Sequence, residues 1–173
     1  MKPLYPTVLF TTMFALALFA SPAAAQVGQT WDKKFTGANR FVVLPAFGSQ
    51  AVFDKETGLV WERTPSTDTF TPSEAHRHCN DTLLGDRFGW RLPTIQELAS
   101  LVDTSQAEPA LTNGHPFNNV TTTDCYWSAT AGNPQWSVSF GGTGTVTEGG
   151  CGSGDGKNVV WCVRGGQGIE IQN

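Results

Sequence analysis

The chain has 173 residues and a formal net charge of -4, with only 15% of its residues charged and no basic run. That balance argues against nucleic acid, heparin-like polyanions and acidic membrane surfaces as partners. Its 19 glycines and 10 prolines indicate many turns, and six tryptophans and 11 phenylalanines supply large core pieces, the composition of a loop-rich α+β domain.

Residues 1–25 read as an export signal: Lys2, an apolar run from Val8 to Ala20, then the small residues Ser21 to Ala25 where a signal peptidase cuts. The run is shorter than the roughly 20 residues of a spanning helix. Cleavage is therefore expected, with the mature chain starting at Gln26 in the periplasm or outside the cell and no membrane insertion afterwards. Residues 26–40 show little periodicity and read as a loosely tied lead-in to one domain at 41–173.

Within that domain Phe41 to Leu44 is a short β-type run ending at Pro45. Residues 51–62 read as a hairpin whose turn, Asp54 to Gly58, uses Gly58 for a positive φ. Thr71-Pro72-Ser73-Glu74 is a capping box with proline at the first helical position, which predicts a helix from Pro72 to Asp81 with Ala75, Cys79 and Leu83 on its inner side. Thr94 and Glu97 form a second box. Pro93 and Leu98 stand where a hydrophobic staple places them, and the spacing of Ile95, Leu98, Leu101 and Val102 predicts a helix over 95–102.

From Thr104 to Asp124 the chain reads as a long loop, broken by Pro109, Asn113-Gly114 and Pro116 and pinned by Leu111 and Phe117. Three closing strands follow at 125–130, 135–140 and 159–164, with a glycine-rich turn across 141–156 between the last two.

Cys79, Cys125, Cys151 and Cys162 are an even count in a chain read as exported, which points to two disulfides. Spacing alone leaves the pairing open. The absence of a C-x-x-C pair and the oxidising compartment argue against thiolate-bound zinc.

Five stretches, in order, carry a resemblance: D-x-x-T-G-L-x-W (Asp54 to Trp61), the helix cysteine Cys79, W-R-L-P-T-x-x-E-L-x-S-L-V-D (Trp90 to Asp103), Y-W-S-A-T (Tyr126 to Thr130) and W-C-V-R-G-G (Trp161 to Gly166). The chain resembles the DUF1566 family, also called the Lcl C-terminal domain family, a mainly bacterial group, over roughly residues 41–166. The resemblance implies a C-type lectin-like fold, with two helices flanking small antiparallel sheets and a long loop region that often carries the binding site. It also implies pairing of Cys79 with Cys162 and of Cys125 with Cys151. On this reading Trp90 and Leu92 are core pieces, Arg91 binds loop carbonyls or a carboxylate such as Glu97 or Asp103, and the stretch is structural.

Chemistry-bearing patterns are sparse. His76 and His78 lie two apart on different helix faces and cannot chelate one metal as an i, i+4 pair would, and His115 stands in the long loop. The sequence has no G-x-S-x-G, no H-E-x-x-H and no glycine-rich phosphate loop, so no enzymatic activity is expected. Calcium-dependent C-type lectins use E-P-N or Q-P-D and W-N-D tripeptides. Here Glu108-Pro109-Ala110 and Asn133-Pro134-Gln135 each lack a ligand and no W-N-D occurs. No cofactor is expected; calcium has no supporting motif, although Asp124, Glu148 and Asp155 offer oxygen ligands.

The candidate ligand-binding residues are Tyr126 and Trp136 for stacking on a sugar face, Asn133, Gln135 and Asn158 for hydrogen bonding, and Glu148 and Asp155 on the glycine-rich segment. Trp136 reads equally well as core, whereas Trp127 and Trp161 read as core. The function expected is a non-catalytic recognition or adhesion module for a neutral glycan or a cell-surface protein. The alternative is a structural or accessory envelope protein with no small-molecule site.

Overall fold

In a computed structural model of the chain, residues 35, 39–151 and 154–166 are described. The export signal read at 1–25 lies outside the described residues, as does most of the lead-in at 26–40. Among the described residues no helix is long and apolar enough to cross a membrane.

The domain is a mixed α and β structure with two antiparallel sheets. The larger contains β1 (Phe41–Val43), β2 (Ala51–Asp54), β3 (Val60–Glu62), β4 (Trp90–Arg91) and β8 (Val163–Arg164), in the order β1-β2-β3-β8-β4. The smaller is the meander β5 (Cys125–Trp127), β6 (Trp136–Ser139) and β7 (Thr145–Glu148). Two α-helices, α1 (Pro72–Asp81) and α2 (Ile95–Ala99), lie on either side of β4 in the chain. The hairpin of β2 and β3 forms as read, with Gly58 at φ 74°.

Both capping boxes are complete. The Thr71 hydroxyl accepts from the Glu74 N–H while the Glu74 carboxylate accepts from the Thr71 N–H, and Thr94 and Glu97 do the same at α2. Helix α1 keeps its expected bounds, but Leu83, placed on its inner side from sequence, is 49% exposed. It lies past Thr82, whose extended backbone ends the helix and turns the next side chain outward. Helix α2 is shorter than the 95–102 expected. Its end tightens into i to i-3 bonds, Leu101 N–H to Leu98 O and Val102 N–H to Ala99 O, which bring Val102 into a strand-like bridge with Leu111. That bridge pins the otherwise irregular 104–124 segment, as Leu111 and Phe117, both buried, were expected to do.

The core has two parts, and several strands stand between them. Val159, Trp161 and Val163 enter one cluster and Val160 and Cys162 the other, the period of two that an extended chain imposes. Tyr126 and Trp127 divide in the same way, as do Val52 and Ala51. Trp161 centres the first cluster, with ring centroids 4.8 Å from Phe117, 5.5 Å from Phe140 and 5.8 Å from Trp61, all edge-on. Disulfides join Cys79 to Cys162 and Cys125 to Cys151, the pairing the resemblance implied. They indicate an oxidising, extracytoplasmic environment.

Two further findings depart from the sequence reading. The 141–156 segment contains a strand, β7, paired along β6 from Trp136↔Glu148 to Ser139↔Thr145. The lead-in ends in a structural residue. Arg40 is buried and grips Asp54 with two hydrogen bonds, Nε to Oδ1 at 2.9 Å and Nη2 to Oδ2 at 2.7 Å, while Nη2 also donates to Ser100 O.

Candidate functional site

A cleft of about 560 Å³ opens at one end of the smaller sheet, within the size range of small-ligand sites. It is lined by the Gly132–Gln135 turn joining β5 to β6 and by the neighbouring end of β7 from Glu148 to Gly150. Lys157 and Pro72 close the sides, and Trp127 forms the floor. The walls are tied together: Gly149 N–H donates to Gln135 O at 2.8 Å, and the Ser137 hydroxyl donates to Gly149 O. The Gln135 amide nitrogen is engaged with Ser128 O, and Trp127 Nε1 donates to Phe70 O at 2.7 Å.

Of the residues singled out from sequence, Asn133, Gln135 and Glu148 line this cleft. Asp155 is exposed nearby and caps the loop by accepting the Lys157 N–H. Asn158 is fully buried just behind the Gly150 wall. Trp136 is half-buried and does not line the cleft. A Cβ at Gly132 would sit 3.0 Å from its Cδ1, so the turn lies directly on the indole.

Tyr126 requires a correction. It is 0% exposed, packs against Phe140 and Trp161, and accepts the Thr121 N–H at its hydroxyl. Burial pushes its phenol pKa well up. It cannot stack on a ligand, because the strand alternation turns it inward and gives the cleft Trp127 instead. Pro72, Trp127 and Lys157 are cleft residues that sequence reasoning did not assign. Of these, only Lys157, between the glycine-rich 141–156 segment and the candidate Asn158, stands next to a sequence signal.

Among the described residues, one group of three potential metal ligands comes together: Glu62, His78 and Cys162, with ligand atoms within 4.8 Å of one another. Cys162 is bonded to Cys79, so its sulfur is not a thiolate. Glu62 is 8% exposed and accepts the Cys162 N–H at 3.0 Å. Burial pushes its pKa up to about 7, partly opposed by that hydrogen bond. Burial also lowers the pKa of His78, against the raising effect of Asp68 and Asp81.

Glu62 thus takes up a proton more readily in the folded chain than in the unfolded one. The stability this confers is present below the unfolded pKa and is lost as pH rises through about 7. Urea unfolding is therefore expected to show a decline of up to about 3 kcal/mol attributable to Glu62 between pH 5 and 8. Glu62→Gln, which keeps an acceptor for the Cys162 N–H, removes that decline. An unchanged pH dependence in the variant would assign the titration elsewhere.

The sequence matches the family model of the Lcl C-terminal domain over residues 50–164. The chain belongs to the Lcl C-terminal domain family. No curated protein and no solved structure matches it. In this Lcl C-terminal domain the stretches that carry the family resemblance build the frame. Asp54 accepts from the Glu56 N–H and the Thr57 hydroxyl to shape the hairpin turn. Arg91 holds Glu97 through both carboxylate oxygens, at 2.8 and 2.6 Å, and the Gly165 carbonyl at 2.7 Å, joining α2 to the last strand. Apart from Trp127, the cleft comes from residues outside those stretches.

Proposed function

We propose that this Lcl C-terminal domain is an exported, non-catalytic recognition module that binds a neutral glycan in the cleft beside β7. The observation that carries this reading is that Asn133, Gln135 and Glu148 line one cleft together with Trp127 and the glycines Gly149, Gly150, Gly154 and Gly156. Carboxamides both donate and accept, as sugar hydroxyls do, and close backbone approach at glycine suits a polar ligand. The net charge of -4 favours an uncharged ligand over a sulfated or uronate-rich one. In this reading the two disulfides, two helices and irregular sheets form a C-type lectin-like arrangement. The signal read at 1–25 delivers it to the periplasm or the cell exterior.

A glycan array probed with the disulfide-intact protein, with and without calcium, tests the proposal. Binding is expected to fall about tenfold in Asn133→Ala and in Glu148→Ala, both exposed residues whose loss leaves the core untouched. Trp136→Ala, which removes a side chain outside the cleft, separates binding in the cleft from stacking on that indole. A blank array from folded protein would overturn the reading and favour a structural envelope role.

A further inference from the structure

We infer that Asn158 is the buried anchor of the cleft, a carboxamide that takes two adjacent hydroxyls of a neutral saccharide when the Gly150 wall moves aside. The inference rests on the reading of the cleft as a saccharide site and adds the group that selects the ligand. Asn158 is 0% exposed, and its backbone pairs with Phe70 in both directions, at 3.1 and 2.8 Å. Its side-chain Nδ2 and Oδ1 have no hydrogen-bond partner among the described residues. Buried polar atoms are nearly always paired, and an unpaired one carries its full desolvation penalty. A leucine has the same branched shape with no polar atom to desolvate, so packing alone does not explain a carboxamide here.

Its position relative to the cleft does. A Cβ built on Gly150 would lie 2.7 Å from Asn158 Oδ1 and 3.2 Å from Nδ2, and Gly150 itself lines the cleft. The amide is separated from the ligand space by the thickness of one residue without a side chain. Gly150 is exposed and lies between two fixed points, Gly149, bonded to Gln135 and Ser137, and Cys151, bonded to Cys125. A small displacement of this single residue brings the amide into contact with the cleft.

The chemistry of the exposed group then defines the ligand. An amide presents a donor and an acceptor on adjacent atoms, and exchanging the assignment of its oxygen and nitrogen leaves this unchanged. A carboxylate would satisfy only Nδ2 and repel Oδ1, and an ammonium group would do the reverse. Two neighbouring hydroxyls satisfy both, one accepting and the other donating, which specifies a vicinal diol on an uncharged sugar ring.

The test uses ¹⁵N-labelled protein with both disulfides formed, titrated with the methyl glycosides of glucose, mannose and galactose. The Asn158 side-chain signal is identified by its absence in Asn158→Leu. With at least one glycoside, the Asn158 signal is expected to shift in parallel with that of Asn133. Asn158→Leu should bind that glycoside about tenfold or more weakly while melting at the same or a higher temperature. If Asn133 responds and Asn158 does not, or if Asn158→Leu binds like the wild type, the anchor is wrong and the cleft reading survives. If no cleft signal responds to any glycoside, the cleft reading fails and the inference fails with it. A melting temperature several degrees lower for Asn158→Leu would show the carboxamide to be a structural partner and would overturn the inference without any ligand.

Discussion

Arg40→Met is expected to lower the unfolding free energy by about 3–5 kcal/mol, the usual consequence of removing one partner of a buried ion pair. The loss arises from what remains behind more than from the attraction that disappears. Asp54 is 0% exposed, and the guanidinium is the cation that meets both of its oxygens. Without it the carboxylate keeps the Glu56 N–H and the Thr57 hydroxyl, at 3.0 and 2.8 Å, but no compensating charge at hydrogen-bond distance. Arg40 also reaches Ser100 O just after α2, so the substitution frees one end of that helix as well. Against the roughly 5–15 kcal/mol of an ordinary domain, this is about a fifth of the total or more. Urea denaturation of the variant measures it. A loss below about 1 kcal/mol would mean that the pair behaves as a solvated surface bridge. Arg91→Met is the comparison, because Arg91 and Glu97 retain 23% and 15% side-chain exposure and so can be rehydrated.

This ion pair also marks where sequence reading ends. The turn at Asp54 to Gly58 was legible because a turn is a local event, written in the residues that make it. The partner of Asp54 lies 14 residues earlier, at the end of a segment with no periodicity, and nothing local announces it. The same distinction holds along the chain. Both capping boxes were readable because donor and acceptor stand three residues apart. The shortening of α2 was not, since it depends on Val102 finding Leu111 across the loop. Strand β7 was hidden by its glycine flanks and by Val146, which is 45% exposed and so gives no buried-strand signal.

Face assignment was the weakest part of the site prediction. Along 125–127 and 159–163 both faces of the chain are buried, so hydrophobicity does not alternate and the sequence carries no sign of which side chain turns where. Tyr126, expected to stack on a ligand, packs in the core around Trp161, while Trp127 is buried as expected and also lines the cleft. Asn133 and Gln135 were found because a turn rich in Gly, Asn and Pro advertises an exposed edge. Their meeting with Glu148 and Lys157 depends on the β6–β7 pairing, a long-range fact that composition does not encode.

Removing Cys79–Cys162 is expected to cost more than removing Cys125–Cys151, and the two bridges should separate by function as well as by stability. The first spans 83 residues and the second 26. In the chain-entropy model these loops correspond to about 4–5 and about 3–4 kcal/mol, a difference of about 1 kcal/mol. Packing widens the gap. Cys79 and Cys162 are both fully buried in the cluster with Trp90 and Trp127, so Cys79→Ala/Cys162→Ala leaves unfilled core volume. Cys151 is exposed, and its loss leaves a smaller void. Urea denaturation of the two double variants is expected to place Cys79→Ala/Cys162→Ala lower by at least that 1 kcal/mol. Equal midpoints would show that the denatured chain is already constrained near residue 79. Cys125→Ala/Cys151→Ala should instead stay folded and lose glycan binding, because that bridge fixes the far end of the Gly149–Gly150 wall. If it binds as the wild type does, the wall is held by Gly149 alone, through its bonds to Gln135 and Ser137.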